Sequence, residues 1–218
     1  MNIYHGSKAI IDKPIYKGSE KTNDYGPSFY LTVDLDAAKA WACRNDSLGL
    51  VNEYYIDERS FKNLKILDLT QKDQYSVLNW LAILMHFRTL SKSFIAKNRQ
   101  AIEWLKQFYI NVDEYDVVIG YRADDSYFRF PTSFISNDLS FDDLEDVFLS
   151  GHLGVQYAFM SEKAIKLLKY RRTTECEPAF LGRHYSAINK ASEEFDESLN
   201  RPRDSRKTYI FDMMREER

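Results

Sequence analysis

Two phrases decide how this chain folds: Tyr4-His5-Gly6-Ser7, and the stretch DYGPSFYLTVDLDAAKAW from Asp24 to Trp41. The first reads as a short strand, Asn2 to Tyr4, running into a Gly-Ser turn. The second has strand character from Ser28 to Thr32 and then Asp34, a residue type that caps helices by accepting from first-turn N–H groups. A helix is expected from Leu35 to about Asn45, with Ala37, Ala38, Trp41 and Ala42 at helical spacing. A histidine, a glycine backbone, Tyr30 and Trp41 would then meet around a small planar ligand.

Working outward, Lys8 to Gly26 is loop-rich, with Pro14, Gly18 and Gly26. Leu50 to Asp57 alternates apolar and polar residues and reads as a strand, as does Leu64 to Leu69. Asp73 to Leu90 is a helical stretch, apolar at Val77, Leu78, Leu81, Leu84 and Met85. A second helix, about Asn98 to Tyr109, carries Ile102, Leu105 and Phe108. Together they suggest a helical insertion over about 73–109, packed on a sheet. The apolar run Val117-Val118-Ile119 marks a buried strand from Tyr115 to Gly120. Ser140 begins a helix, Val155 to Met160 is the next strand, and Ser161 starts the helix EKAIKLLKY. After Tyr170 the pattern changes: Glu175 to His184 is irregular, and Ser192 to Arg206 is polar. Tyr209 to Met214 is an apolar patch. The expected organisation is an α+β domain over 1–170 and an extension over 171–218 that packs back on it or binds a partner.

Composition bounds the function. The chain has 218 residues, 44% hydrophobic and 29% charged, as expected of a globular protein. A formal charge of −3 gives no general electrostatic pull toward nucleic acid. Cys43 and Cys176 are far apart in sequence and suggest neither a metal site nor a disulfide framework, which suits a reducing cytoplasm. The N-terminus lacks a secretory apolar run, and the longest apolar stretch, Leu78 to Phe87, is too short to span a bilayer. A cytoplasmic location without a membrane partner is expected. The four histidines have no metal spacing, and no nucleotide-binding glycine fingerprint is present. Ser7 has no base beyond His5, which argues against a serine hydrolase.

The phrases YHGS, YGPSFYLTVDLDAAKAWA and GVQYAFMSEKAI, in that order, resemble the ADP-ribosyltransferase superfamily of the diphtheria-toxin and poly(ADP-ribose) polymerase type. The resemblance covers roughly 1–60 and 115–170, and implies a split-sheet core. The chain also resembles a bacterial family with the phrases YDVVIGYRADDSYF and DYG-x-x-FY-x-T, whose members are toxins of toxin–antitoxin or phage-defence modules. By this resemblance NAD is a co-substrate. His5 would hydrogen-bond its ribose, and Gly6 and Ser7 would belong to the same motif, with the Gly6 backbone pairing with the nicotinamide carboxamide. Tyr30 would stack on the base and Trp41, eleven residues on, would supply the second ring. The family places an acid at the start of the late strand, and here that position is Gln156. An amide supplies the hydrogen bond of a glutamate but not its charge. Asp124 or Asp125 could bring the missing carboxylate, and Arg122 could bind the pyrophosphate by charge-assisted hydrogen bonds.

The resemblance implies a toxin that transfers ADP-ribose to an intracellular macromolecule, nucleic acid (RNA in particular) or protein, restrained by an antitoxin protein. Two alternatives stay open: a non-enzymatic module that binds NAD or ADP-ribose, and an NAD glycohydrolase.

Overall fold

A computed structural model describes residues 1–44, 48–123, 128–149, 154–177, 181–200 and 202–216. The alternating and apolar runs become two sheets. The first holds β1 (Asn2–Ser7), β3 (Gly49–Tyr55) and β7 (Lys169–Cys176), in the order β1-β3-β7, all antiparallel. The second, ordered β2-β6-β5-β4, holds β2 (Phe29–Leu31), β6 (Val155–Phe159), β5 (Val117–Tyr121) and β4 (Ile66–Asp68). Its β4–β5 pair is parallel and its other pairs are antiparallel. Among the described residues one isolated bridge, Tyr4 to Thr32, joins the two sheets.

The helices are α1 (Leu35–Ala42), α2 (Glu58–Lys62), α3 (Val77–Phe87), α4 (Lys92–Lys97), α5 (Arg99–Leu105), α6 (Arg129–Ile135), α7 (Phe141–Leu149), α8 (Glu162–Ile165), α9 (Leu181–Asn200) and α10 (Ile210–Glu216). Among the described residues no helix is long and apolar enough to cross a membrane.

The continuous apolar run of β5 follows from burial on both faces. On one face Val118 and Ala158 pack with Leu81, Trp80, Phe134 and Phe148 from the helices. On the other, Phe29, Val117 and Phe159 pack with Ile3 and Tyr54 of the first sheet. Helix α1 lies against β1, where a Cβ on Gly6 would collide with the Ala38 carbonyl and the Ala42 nitrogen. Asp34 caps α1 as expected, its Oδ1 accepting from the Asp36 and Ala37 N–H groups at 2.9 and 3.2 Å.

Several expectations change. His5, Gly6 and Ser7 are the last residues of β1, not a turn, because the strand continues pairing with β3 out to Ser7–Leu50. The insertion has three helices rather than two, because Ser91 caps a separate α4. The helix expected through Tyr170 stops at Ile165, and Lys169 and Tyr170 begin β7. The boundary drawn after Tyr170 therefore falls inside β7, the edge strand of the first sheet. Glu175 and Cys176 also belong to β7, and α9 begins at Leu181, inside the Glu175 to His184 stretch expected to be irregular, and runs into the polar stretch from Ser192. The two cysteines, distant in sequence, meet in one buried cluster with Ala38, Ala42 and Val51. Both are free thiols, and Cys43 Sγ donates to the Cys176 carbonyl at 3.1 Å.

Candidate functional site

The site grows from the place where the sheets part. Tyr4 and Thr32 exchange backbone bonds of 2.8 and 2.9 Å. In an extended strand the N–H and C=O of residues two apart point to the same edge. Gly6 therefore turns its N–H and C=O toward β2, as Tyr4 does. But β2 has turned away to pair with β6, with Tyr30 opposite Ala158. Beyond the Tyr4–Thr32 bridge the two strands stop pairing, and the Gly6 edge of β1 has no backbone bond to Tyr30.

His5 bridges the two strands at this point. Its Nδ1 lies 2.7 Å from the Tyr30 carbonyl, and its ring stacks on Phe29 at 4.5 Å between centroids. A carbonyl only accepts, so Nδ1 carries the proton and Nε2 is left as an acceptor. Burial lowers the His5 pKa from its ordinary value; the Tyr30 carbonyl opposes this and the Arg44 charge adds to it. The ring is accordingly neutral at physiological pH.

Tyr30 is fixed at its far end. Its hydroxyl donates to the Gly26 carbonyl at 2.7 Å and accepts from the Tyr25 N–H at 3.0 Å. Burial pushes its pKa upward, so it is a neutral ring here. Ser7 is held differently: its hydroxyl donates to the Ala9 carbonyl and accepts from Asn52 Nδ2 at 3.1 Å. Asn52, fully buried, also ties Ile11, Ala9 and Thr173 together. Ser7 thus anchors the loop after β1.

Trp41 sits on α1 and is 40% exposed. It makes no ring contact with Tyr30 among the described residues. The guanidinium of Arg44 lies 4.2 Å and that of Arg122 lies 5.0 Å from its ring centroid. These are cation–π distances, so the structure brings together Trp41 and Arg122, two residues singled out in the sequence.

Gln156 is the second residue of β6 and is 8% exposed. Its Nε2 donates to Asp24 Oδ2 at 2.8 Å and approaches the Tyr121 carbonyl at 3.3 Å. Asp24 Oδ2 also accepts from the Ala123 N–H at 2.9 Å, and Arg88 Nε lies 3.7 Å from Oδ1. Arg88 in turn donates from Nη2 to the Ala123 carbonyl at 2.9 Å. Burial raises the Asp24 pKa, while the Ala123 N–H, Arg88, Gln156 and Arg122 oppose the rise. Tyr25 closes the cluster by packing over Gly120, where no Cβ would fit, and donating to the Tyr121 carbonyl at 2.8 Å. Asp124 and Asp125, the other carboxylates considered, lie outside the described residues.

Sequence reasoning missed Asp24, Arg44 and Arg88. Asp24 begins the second diagnostic phrase and Arg44 follows Trp41 by three residues, so both were near the signal. Arg88 caps the end of α3, inside the insertion, and carried no local signal. A separate cavity of about 310 Å³ lies by α4 and α6, lined by Phe94, Phe128 and hydroxyl side chains, and includes none of these residues.

The fold is α+β with two sheets, and where they part the structure gathers a neutral imidazole, an unpaired stretch of β1 and the polar cluster around Gln156. A model of the family described as "Protein of unknown function (DUF3990)" matches residues 1–170, and the chain belongs to that family. No curated protein and no solved structure matches the chain.

Proposed function

We propose that this protein is an NAD-dependent ADP-ribosyltransferase that acts as a toxin in the bacterial cytoplasm. The observation that carries the proposal is the His5–Tyr30 bond across the parted sheets, with the Gly6 strand edge facing the same gap. A backbone N–H and C=O without a backbone partner suit the carboxamide of nicotinamide, which offers one acceptor and two donors. Tyr30 gives the base a flat neighbour, and His5 Nε2 accepts from a ribose hydroxyl. Arg44 and Arg122 beside Trp41 suit the pyrophosphate.

NAD supplies the electrophilic ribose carbon. The bond from C1′ to the pyridinium nitrogen breaks, and nicotinamide leaves as a neutral base with the bonding pair. A nucleophile on the acceptor bonds to C1′ and loses its proton. The chain orients the ribose through His5 and Gln156 and holds the base out of water against Tyr30. The acceptor is a macromolecule, nucleic acid (RNA in particular) or protein, and an antitoxin protein is the expected restraint.

A second reading is a non-enzymatic NAD or ADP-ribose module. It is favoured by the amide at 156, where a transferase of this type carries an acid, and by the engagement of that amide with Asp24.

Labelled NAD incubated with lysate tests the proposal. Label should pass to a macromolecule, and His5→Ala should cut nicotinamide release by about a hundredfold. No transfer, with nicotinamide release no higher than that of His5→Ala, would overturn it. Calorimetric binding without turnover would select the module, and free ADP-ribose without labelled macromolecule would select a glycohydrolase.

A further inference from the structure

We infer that Asp24 is the positioning residue for Gln156, fixing its side-chain amide so that the oxygen, and not the nitrogen, faces a ribose hydroxyl. The inference rests on the NAD-dependent reading above and names the residue behind its weakest position.

The amide orientation follows from its partners. Gln156 Nε2 meets a carboxylate oxygen at 2.8 Å and a carbonyl oxygen at 3.3 Å. Both only accept hydrogen bonds, so the nitrogen belongs there and a flipped amide would set oxygen against oxygen. Oε1 has no hydrogen bond among the described residues. It is also not a buried orphan, since Ser28 Oγ alone has that status among them. Oε1 is therefore the end of the side chain that reaches solvent.

Asp24 is well placed to impose this. Oδ2 accepts from the Ala123 backbone as well as from Gln156, and Arg88 holds the carboxylate from the Oδ1 side. Arg88 itself is tied to the Ala123 carbonyl. The charge of Asp24 is thus engaged by Arg88 and serves orientation, not the reacting carbon. The same geometry gives a reason for an amide at this position. A glutamate at 156 would set two carboxylates within hydrogen-bond distance, and one would have to take up a proton. With glutamine, one carboxylate and one amide share the site without that conflict, and the cleft still receives an acceptor.

The test is NAD binding by calorimetry for wild type, Asp24→Leu, Asp24→Asn and Gln156→Glu, with the folded state of each checked by circular dichroism. Asp24→Leu removes the oxygen that holds Gln156 Nε2 and frees the amide to turn, so it should weaken NAD roughly tenfold, the scale of one misdirected hydrogen bond, and Gln156→Glu should weaken it at least as much. The Ala123 N–H and Gln156 Nε2 meet the same oxygen, Asp24 Oδ2. Asp24→Asn can keep an amide oxygen there for both donors, so its affinity should stay within about threefold of wild type. A merely structural role would lower the melting temperature of Asp24→Leu and leave its NAD affinity unchanged. Should Asp24→Leu not fold, NMR of the wild-type side-chain amides decides: the Gln156 Nε2 protons should exchange slowly with water, and fast exchange would overturn the inference. Wild type that binds NAD beside an Asp24→Leu variant that binds equally well would also overturn it, leaving the NAD reading intact. Wild type that binds no NAD would remove both.

Discussion

The two walls of the cleft are built on opposite principles. The wall made by β1 is neutral: a glycine that admits a helix backbone, a buried Asn52 network, and an imidazole held without its charge. The wall made by the ends of β5 and β6 is ionic: Asp24, Arg88, Gln156 and Arg122 gathered from four separate stretches of chain. The first wall is held by shape, so it fails when volume is added. The second is held by paired charge, so it fails when one partner is removed.

The largest expected effect lies behind the ionic wall. Trp80 is buried on α3 against Phe148 at 4.3 Å and donates to the Tyr121 carbonyl at 3.1 Å, the carbonyl that Gln156 approaches. Trp80→Ala should cost about 4 kcal/mol of stability by denaturant unfolding. Trp41→Ala, at an exposed ring, should change stability by less than about 0.5 kcal/mol yet weaken NAD roughly fivefold, the scale of a stacking contact. Equal losses of NAD affinity in the two variants would remove the stacking role of Trp41.

Next, Arg88→Met should cost about 3 kcal/mol at neutral pH, because it leaves Asp24 buried without its cation. Burial already raises the Asp24 pKa above its ordinary 3.8. The folded state therefore binds this proton more readily than the unfolded one. The stability contributed by Asp24 is full below about 3.8 and falls as pH rises through the folded pKa. Arg88→Met should steepen that fall, read from unfolding midpoints across a pH series. An unchanged slope would deny the wall its ionic character.

Gly6→Ala comes third, at about 2 kcal/mol, because the added methyl meets α1 backbone that cannot rotate away. If the glycine served only ligand approach, NAD binding would fall with no change in melting temperature. The smallest effect is the pH response of the neutral wall, which has the opposite sign. His5 has a lowered pKa, so its contribution is present above about 6.5 and is lost as pH falls toward the folded value. His5→Asn should flatten the stability profile just below that pH, and slopes of the same sign for His5 and Asp24 would erase the contrast.

The neutral wall was also the more legible one. Asp34, the alternation around Tyr30 and the spacing of α1 are local signals, and His5, Gly6, Tyr30 and Trp41 could be singled out from them. Gly6 shows the limit: its need for close approach was readable, but the partner that approaches on its side-chain face is α1. Strand β7 was misread because Lys169–Cys176 is an exposed edge strand whose polar residues carry little apolar alternation. The preceding EKAIKLLKY run also has good helix formers. The ionic wall was invisible as a unit, since no local pattern connects residue 24 with 88 and 156.

The sequence by itself determined the α+β class, most of the elements and the motif residues, because hydrophobic period and capping chemistry act over a few neighbouring positions. Only the tertiary structure decided which side chains complete the cleft: Arg44 and Arg122 on Trp41, and Asp24 behind Gln156. Those contacts depend on where β5, β6 and the end of α3 bring distant residues within a few ångströms, and long-range register is not written in any one segment.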